Sequence, residues 1–106
     1  MYEKTELEMF LEQCVGLPEM GYYDYEWERF VSYYDPQSGM FYWMSGSGCS
    51  CNYLEEDYKT VSDLSVGRKD EFLSAASHFG DGGVYGYGQG RYSDQFEKIR
   101  QAVREL

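Results

Sequence analysis

Two cysteines lie close together near the middle of the chain, in residues 46–51 (GSGCSC). Cys49 and Cys51 form a C-x-C pair, and Cys14 and His78 could complete a set of four zinc ligands. Zinc sites use these residue types, but their paired cysteines usually have two or more residues between them. The other two ligands would also come singly from distant segments. We therefore favour simple packing of Cys49 and Cys51 on one side of an extended segment, with a metal site as the secondary interpretation.

The cysteine count also bears on redox and catalytic chemistry. Three cysteines, an odd number, do not make the disulfide framework of a secreted protein, so reduced thiols are expected. A C-x-C disulfide would close a small strained ring, and no helix directly follows it that could lower a thiolate pKa. A cysteine paired with His78 could act as a nucleophile, but a lone histidine at a helix end is more often structural. The sequence predicts no catalytic residue and no cofactor, and an enzyme is the least supported class.

Carboxylates are the second group that could do chemistry. Asp24, Glu26 and Glu28 alternate along a predicted strand, roughly 6.7 Å apart by strand rise. Paired carboxylates can bind a hard cation or transfer protons, but such sites need burial or a shaped pocket, and these acids are expected to be solvated. A row of carboxylates can also imitate the phosphate backbone of DNA. One strand carries acids too sparsely for that, so several elements would have to contribute.

The charge of the whole chain is strongly negative. Nineteen acidic residues against nine basic ones give a formal net charge of −10, and residues 67–106 contribute none of this excess. Such a field repels nucleic acid and anionic membranes and attracts basic surfaces. Two interpretations stay open: an acidic face that only keeps the protein soluble, and one that docks on a basic partner such as a nucleic-acid-binding protein.

Aromatic residues give the second compositional signal. Twelve tyrosines, six phenylalanines and two tryptophans make up 19% of the chain. Tyrosine beyond the needs of a core is common at protein-binding surfaces, because its ring is apolar and its hydroxyl is polar. The predicted partner-binding surface combines aromatic residues with neighbouring acids. Its residues are Tyr23, Asp24, Tyr25, Glu26, Trp27, Glu28, Glu55, Glu56 and Asp57.

Hydrophobic spacing predicts the helices that support these residues. Residues 5–15 begin with a capping box, Thr5 and Glu8, and carry apolar residues at i, i+3, i+4 and i+7, which predicts a helix. The same spacing predicts a helix at 68–79, and an apolar stripe of Phe96, Ile99, Val103 and Leu106 predicts one at 93–106, capped by Ser93. Residues 80–91 hold six glycines. They are therefore expected to form a mobile loop.

The predicted sheet centres on residues 23–45. The alternation at 23–28 predicts a strand, which continues to residue 34 if a bulge lies near residues 28–29. Residues 35–39 (DPQSG) have the composition of a turn, and residues 40–45 return as the second strand of a β-hairpin. Residues 46–52 are predicted to be a loop, with a short irregular strand at 46–51 as the alternative. The expected fold is α+β in one domain, residues 1–106: a small antiparallel sheet built on this central hairpin, with three helices covering one face.

Several short segments resemble one known family. They are residues 23–26 (YDYE), 35–39 (DPQSG), 41–43 (FYW), 46–51 (GSGCSC), 63–64 (DL) and 71–73 (EFL). Residues 20–75 thus resemble a family of small uncharacterised proteins of actinobacterial bacteriophages, with a YWxxGSGCSC-type motif. The resemblance implies a phage origin and action in the cytoplasm of an infected bacterium. It implies no activity and no catalytic residues.

The function expected from these features is binding rather than catalysis. No apolar run is long enough to span a bilayer and no signal peptide is recognised, so a cytoplasmic protein is predicted. We expect a small acidic phage protein that binds a basic surface of a host protein, such as a defence or nucleic-acid-handling protein, and inhibits or redirects it. No direct contact with nucleic acid or membrane is expected. The alternatives are a metal- or ligand-binding regulatory module that uses Cys49 and Cys51, and a minor structural component of the virion.

Overall fold

The structure, a computed structural model, describes residues 3–86 and 88–106. Within these residues the elements are helix α1 (Glu6–Glu12), strands β1 (Val15–Gly16), β2 (Met20–Tyr23), β3 (Glu26–Asp35), β4 (Met40–Cys49) and β5 (Ser65–Gly67), and helices α2 (Lys69–Gly82) and α3 (Ser93–Arg104). Two short 3₁₀ turns, Leu54–Asp57 and Val61–Asp63, lie between β4 and β5. The antiparallel sheet with its central hairpin and the three helices confirms the predicted α+β fold.

Strands β3 and β4 form the long hairpin at the centre of the sheet, paired in register from Glu26 opposite Cys49 to Asp35 opposite Met40. The Asp35 carboxylate accepts hydrogen bonds from the Gln37 N–H (3.0 Å) and the Ser38 hydroxyl (2.7 Å). Gly39 has a positive φ of 73° and donates its N–H to the Asp35 carbonyl. The turn therefore forms where its residues predict it, with a side chain that closes it.

The outer edge of β3 pairs with two short strands instead of one. Strand β2 pairs antiparallel with residues 27–30, and β1 pairs with residues 33–34. The sequence predicts one strand from residue 23 to residue 34, with a bulge near residues 28–29. This prediction is wrong, because the chain reverses at residues 24–25 and forms a second hairpin. Gly21 permits this pairing: its φ is +108°, and a Cβ there would lie 1.8 Å from the Glu28 carbonyl oxygen.

Four predicted boundaries differ from those of the structure. Helix α1 is shorter than the predicted 5–15 because Val15 and Gly16 join the sheet, although its Thr5–Glu8 capping box is present. Helix α2 runs to Gly82, three residues into the predicted glycine loop, and Ser93 is the first residue of α3 rather than its cap. Strand β4 continues through the predicted 46–52 loop as far as Cys49.

The sheet is covered on both faces. On one face, α2 and α3 bury a cluster of nine residues: Met20, Phe30, Phe41, Phe72, Ala76, Phe79, Tyr92, Ile99 and Val103. The rings of Phe41 and Phe72 stack with their centroids 4.7 Å apart. Burial of apolar side chains contributes about 1.5–3 kcal/mol for each large residue, so this cluster is the main source of stability on that face.

The second face carries a smaller cluster with helix α1. Its buried residues are Leu7, Trp27, Met44, Leu54 and Leu64. Phe10 of α1 also packs edge-on against Tyr42 of β4, with centroids 4.8 Å apart. The prediction that all three helices cover one face is therefore wrong. In the part of the chain described, no helix is both long enough and apolar enough to cross a membrane.

Ser32 supplies a test of the packing between these layers. Its side chain is 1% exposed, and its hydroxyl has no hydrogen-bond partner within residues 3–86 and 88–106. An unsatisfied buried hydroxyl costs about 1–3 kcal/mol, so Ser32→Ala should raise the free energy of unfolding by on the order of 1 kcal/mol in urea denaturation. Ser45→Ala, at an exposed position of β4, is the control and should change stability by less than about 0.5 kcal/mol. A destabilised Ser32→Ala protein would contradict this account.

Candidate functional site

Glu28 is a buried acid at the meeting point of the sheet and the α2–α3 connection. It is 4% exposed. One carboxylate oxygen accepts a hydrogen bond from the Val84 N–H (2.6 Å), and the other accepts one from the Tyr92 hydroxyl (2.5 Å). The Arg91 guanidinium lies 3.5 Å from the second oxygen. The expectation that Glu28 is solvated is therefore wrong. Glu28 lies on the face of β3 opposite Trp27, as the alternation predicts, but α2, α3 and their connection cover this face as well.

The segment between α2 and α3 is held against Glu28 and against itself. A Cβ on Gly83 would lie 2.2 Å from a Glu28 carboxylate oxygen, so only glycine fits there. Asp81 accepts the Gly90 N–H on its side chain (2.9 Å) and the Arg91 N–H on its carbonyl (3.0 Å). The described residues of this glycine-rich segment are thus anchored on both sides, and Tyr87 lies outside the described residues.

Tyr92 completes the surroundings of the carboxylate. It is 8% exposed and stacks on Phe79, with centroids 5.5 Å apart. Burial, and then the hydrogen bond to Glu28 and its negative charge, raise the pKa of Tyr92 to about 12. The hydroxyl therefore stays protonated, and remains a hydrogen-bond donor, well above neutral pH.

An open cleft of about 440 Å³ lies directly over this carboxylate. We call it the Tyr22–Tyr85 cleft; the side chains that matter to the argument are Tyr22, Glu26, Glu28, Ser47, Tyr85 and Arg91. The Tyr85 hydroxyl hydrogen-bonds the Ser47 hydroxyl across 3.0 Å, which ties the α2–α3 connection to β4. The Arg91 guanidinium lies over the Tyr22 ring, 5.8 Å from its centroid. The cleft therefore combines aromatic rings, two carboxylates and one guanidinium.

The hairpin tip, residues 22–26, projects beside this cleft. Tyr23 is 65% exposed and Tyr25 is 74% exposed, so both rings face solvent. Asp24 accepts the Tyr25 N–H on its side chain (2.8 Å), and Glu26 is exposed. With Tyr22, which is 40% exposed, the tip therefore presents three rings and two carboxylates from five consecutive residues.

Trp27 does not belong to this exposed surface. It is 2% exposed, and its indole N–H donates to the carbonyl oxygens of Cys49 and Asn52, both at 3.0 Å. It therefore holds the end of β4 rather than facing a partner. The predicted surface loses Trp27 and Glu28 to the interior, and its other members stay a prediction.

Arg29 connects the hairpin tip to the second acidic group. Its guanidinium binds Glu19 through two hydrogen bonds of 2.8 Å and Glu55 through bonds of 2.9 and 3.2 Å, and lies 5.6 Å from the centroid of the Tyr23 ring. The hydrogen bonds to Glu19, and then to Glu55, raise the pKa of Arg29 despite its partial burial. The structure thus brings Glu55 beside Tyr23, but with its charge already compensated. Glu56 and Asp57 follow it as exposed residues.

The four candidate metal ligands are not brought together. Val15, next to Cys14, pairs with Tyr34, whereas Cys49 pairs with Glu26, so the two cysteines lie near opposite ends of β3, roughly 26 Å apart by strand rise. His78 lies on α2 and is exposed. Within the described ranges no group of three or more histidine, cysteine and acidic residues could hold a metal ion.

Cys49 and Cys51 are joined by a disulfide, whereas Cys14 is a free thiol. The expectation of reduced thiols is therefore wrong for this pair. A tight turn brings the two residues together: the Asn52 side chain accepts the Cys49 N–H (3.1 Å), and the Asn52 N–H donates to the Cys49 carbonyl (3.2 Å). Burial, and then the nearby Asp35 carboxylate, raise the pKa of Cys14 to about 11, which keeps this thiol protonated and unreactive at neutral pH.

Several residues of the site carry no local sequence signal. Arg91 and Tyr92 follow a glycine-rich segment that reads as a linker, and Gln95 lies on the polar side of a predicted helix. Gln95 nevertheless accepts the Gly21 N–H (2.6 Å) and donates to the Gly21 carbonyl (3.2 Å), which docks α3 on β2. Gly21 is the one hint in the sequence, since a glycine directly before two tyrosines favours a turn or a close approach over a continuous strand.

The contacts of Glu28 predict a large effect on stability. Glu28→Gln replaces one of the two acceptor oxygens by an NH₂ group, which only donates. The hydrogen bond from either Val84 or Tyr92 is then lost. We expect the free energy of unfolding in urea to fall by about 1–3 kcal/mol. Glu26→Gln, an exposed neighbour on the same strand, should change it by less than about 0.5 kcal/mol. Equal stability of the two variants would show that Glu28 is not the anchor described here.

The raised pKa of Tyr92 predicts a pH dependence at the alkaline end. Between the ordinary value of 10.0 and the folded value of about 12, tyrosine ionises in the unfolded chain while Tyr92 keeps its proton in the folded one. Its contribution to stability is therefore complete below pH 10 and is lost as the pH rises toward 12. Urea unfolding across this range should show a shallower loss of stability for Tyr92→Phe than for the unchanged protein. Parallel curves would contradict the assignment.

Comparison with known proteins places the chain in a family. No curated protein and no solved structure matches it. Residues 8–106 match a family described as a domain of unknown function (DUF7574), and the match runs from within α1 to beyond the end of α3. Because the match extends over nearly the whole chain, this protein belongs to the DUF7574 family.

Proposed function

We propose that this protein is a small acidic phage-encoded protein that binds a basic surface of a host protein and thereby inhibits or redirects it. The observation that carries the proposal is the exposure of Tyr23 and Tyr25, at 65% and 74%, on either side of Asp24. Rings of this size dominate the energetics of protein interfaces, and their hydroxyls remain compatible with water when no partner is bound. The proposed contact surface is the hairpin tip.

The charges of the tip favour a basic partner. Within residues 3–86 and 88–106, no cationic group forms an ion pair with Asp24 or Glu26, whereas Glu19 and Glu55 are paired with Arg29. Uncompensated carboxylates beside exposed rings suit a surface rich in lysine and arginine, and the net charge of −10 would speed the encounter. A nucleic-acid-handling or defence protein in the cytoplasm of an infected bacterium is a natural target of this kind.

Capture of the target followed by point substitution tests the contact surface. The tagged protein is used to isolate host proteins, and the affinity of each purified candidate is then measured for variants of the tip. Tyr25→Ala should weaken binding by about tenfold or more, the effect of removing an interface hot spot. Tyr53→Ala, which removes a ring that is 52% exposed outside the tip, is the matched control and should bind like the unchanged protein.

Salt and charge give an independent reading of the same complex. The association rate should fall steeply as salt rises, and Asp24→Asn with Glu26→Gln should reduce both the rate and its salt dependence. Asp70→Asn with Asp94→Asn removes the same charge from exposed positions on α2 and α3 and should have a smaller effect. If Tyr25→Ala matches Tyr53→Ala, and both charge variants behave alike, the hairpin tip is not the contact surface.

A further inference from the structure

The Tyr22–Tyr85 cleft has more negative than positive charge among the residues that line it. Glu26 stands at its wall and is exposed, and Glu28 lies beneath it at 4% exposure. Among the described residues that line the cleft, Arg91 is the one that is cationic. Its guanidinium can balance one of the two carboxylates. The cleft therefore carries a formal charge of −1 next to aromatic rings, a combination that attracts cations.

Arg91 shows how a guanidinium fits in this cleft. It lies over the Tyr22 ring at 5.8 Å from the centroid and 3.5 Å from the Glu28 carboxylate. A planar cation between an aromatic face and a carboxylate is a favourable arrangement for a guanidinium in particular, because guanidinium stacks on rings and is more weakly hydrated than an ammonium. The cleft is thus already shaped for this chemical group.

Arg91 is held much less firmly than Arg29. The Arg29 side chain is 12% exposed and makes four hydrogen bonds of 2.8–3.2 Å to two carboxylates. The Arg91 side chain is 46% exposed, and its ion pair with Glu28 spans 3.5 Å. Its guanidinium also lies 5.8 Å from the centroid of the Tyr22 ring and 5.3 Å from that of the Tyr92 ring. The pair is weaker than those of Arg29, because Arg91 is half-exposed and its bond is long, but it still balances the buried Glu28 carboxylate. A second guanidinium that offered Glu28 a shorter bond could therefore take the place of Arg91, provided that it leaves a cation beside Glu28.

Exchange of one guanidinium for another also leaves the buried carboxylate satisfied. Glu28 keeps its hydrogen bonds from Val84 and Tyr92, which come from the protein itself. Its remaining charge is balanced by a cation before and after the exchange, so a buried unpaired charge never arises. Glu26 lines the same cleft and forms no ion pair within the described part of the chain, so it adds a second negative charge near an incoming cation.

We propose that the Tyr22–Tyr85 cleft binds an arginine side chain of the partner, and that Arg91 occupies this position in the free protein. This inference rests on the proposed function, since it names the partner group that is recognised beside the hairpin tip. Arg91 then acts as an internal competitor: it lowers the affinity for isolated cations, and it is displaced when the contacts of the tip hold a partner arginine in place.

A model compound tests the cleft without any host protein. N-acetyl-arginine methylamide is titrated into the isotopically labelled full chain and followed by NMR shifts of Tyr22, Ser47 and Tyr85. The uncharged isostere N-acetyl-citrulline methylamide is the control. We expect weak binding of the arginine compound at this cleft and none of the citrulline compound.

Substitution of Arg91 gives the sharper test. Arg91→Gln removes the internal competitor and should tighten binding of the arginine compound by roughly threefold to tenfold. Arg91→Lys keeps the charge but not the planar group. Its affinity for the arginine compound should lie between those of the unchanged protein and Arg91→Gln. Glu26→Gln should weaken binding. Near-UV circular dichroism and urea unfolding check that each variant retains its fold. If Arg91→Gln does not fold, the test compares the affinity of Arg91→Lys for the arginine compound with that of the unchanged protein.

Three results would overturn the inference. Weaker binding by Arg91→Gln would mean that Arg91 helps to hold the ligand, as in a site for anions. Equal binding of the citrulline compound would mean that the cleft does not recognise charge. No shift at the cleft for the unchanged protein and for both Arg91 variants would mean that it takes no guanidinium. None of these results changes the affinity of the Tyr25→Ala variant for a host protein, which tests the proposed function. Failure of this inference can therefore be distinguished from failure of the proposed function.

Discussion

The buried carboxylate of Glu28 is the interaction on which this end of the molecule depends. A carboxylate that is 4% exposed is costly unless donors surround it. Here the donors come from Val84, Arg91 and Tyr92, all in the connection that leaves α2 and enters α3, whereas Glu28 belongs to the central strand β3. One side chain thus ties the sheet to the segment that would otherwise be the most mobile part of the chain.

This requirement dictates backbone geometry on both sides of the carboxylate. Gly83 must lack a side chain because its Cα lies against the Glu28 carboxylate, and its φ of 71° suits glycine. Gly21 must lack one because β2 crosses the Glu28 carbonyl at close range. Gln95 then bonds both backbone groups of Gly21 and sets the position of α3 on β2. The walls of the Tyr22–Tyr85 cleft are therefore fixed by close approaches of backbone, with Glu28 between them.

The parts of the fold that sequence reasoning predicts are those determined by neighbours in the chain. The turn at residues 35–39 is closed by Asp35 and Gly39 within five residues, and the capping box of α1 spans Thr5 to Glu8. The three helices follow in the same way from apolar spacing, although α1 ends early because Val15 is taken up by the sheet. These elements need no knowledge of distant contacts.

The candidate site could not be predicted because its contacts are distant in sequence. Glu28 meets Val84 and Tyr92 across 56 and 64 residues, and Gly21 meets Gln95 across 74. An alternation of rings and acids fits a solvated strand face equally well until the cover over that face is known. The connection from α2 to α3 supplies this cover and turns Glu28 from an exposed charge into a buried anchor.

The negative charge of the chain therefore divides into two kinds of acid. In the free protein Glu19 and Glu55 are paired with Arg29, and Glu28 with Arg91, so these three acids serve the fold. Asp24 and Glu26 have no such pairing in the described residues and stand among exposed rings at one end of the sheet. Scattered exposed rings need no explanation, but Tyr22, Tyr23, Tyr25 and Tyr85, each 40–74% exposed, are gathered at this end. The case for a partner thus rests on the local coincidence of rings and unpaired acids, and not on the total of −10.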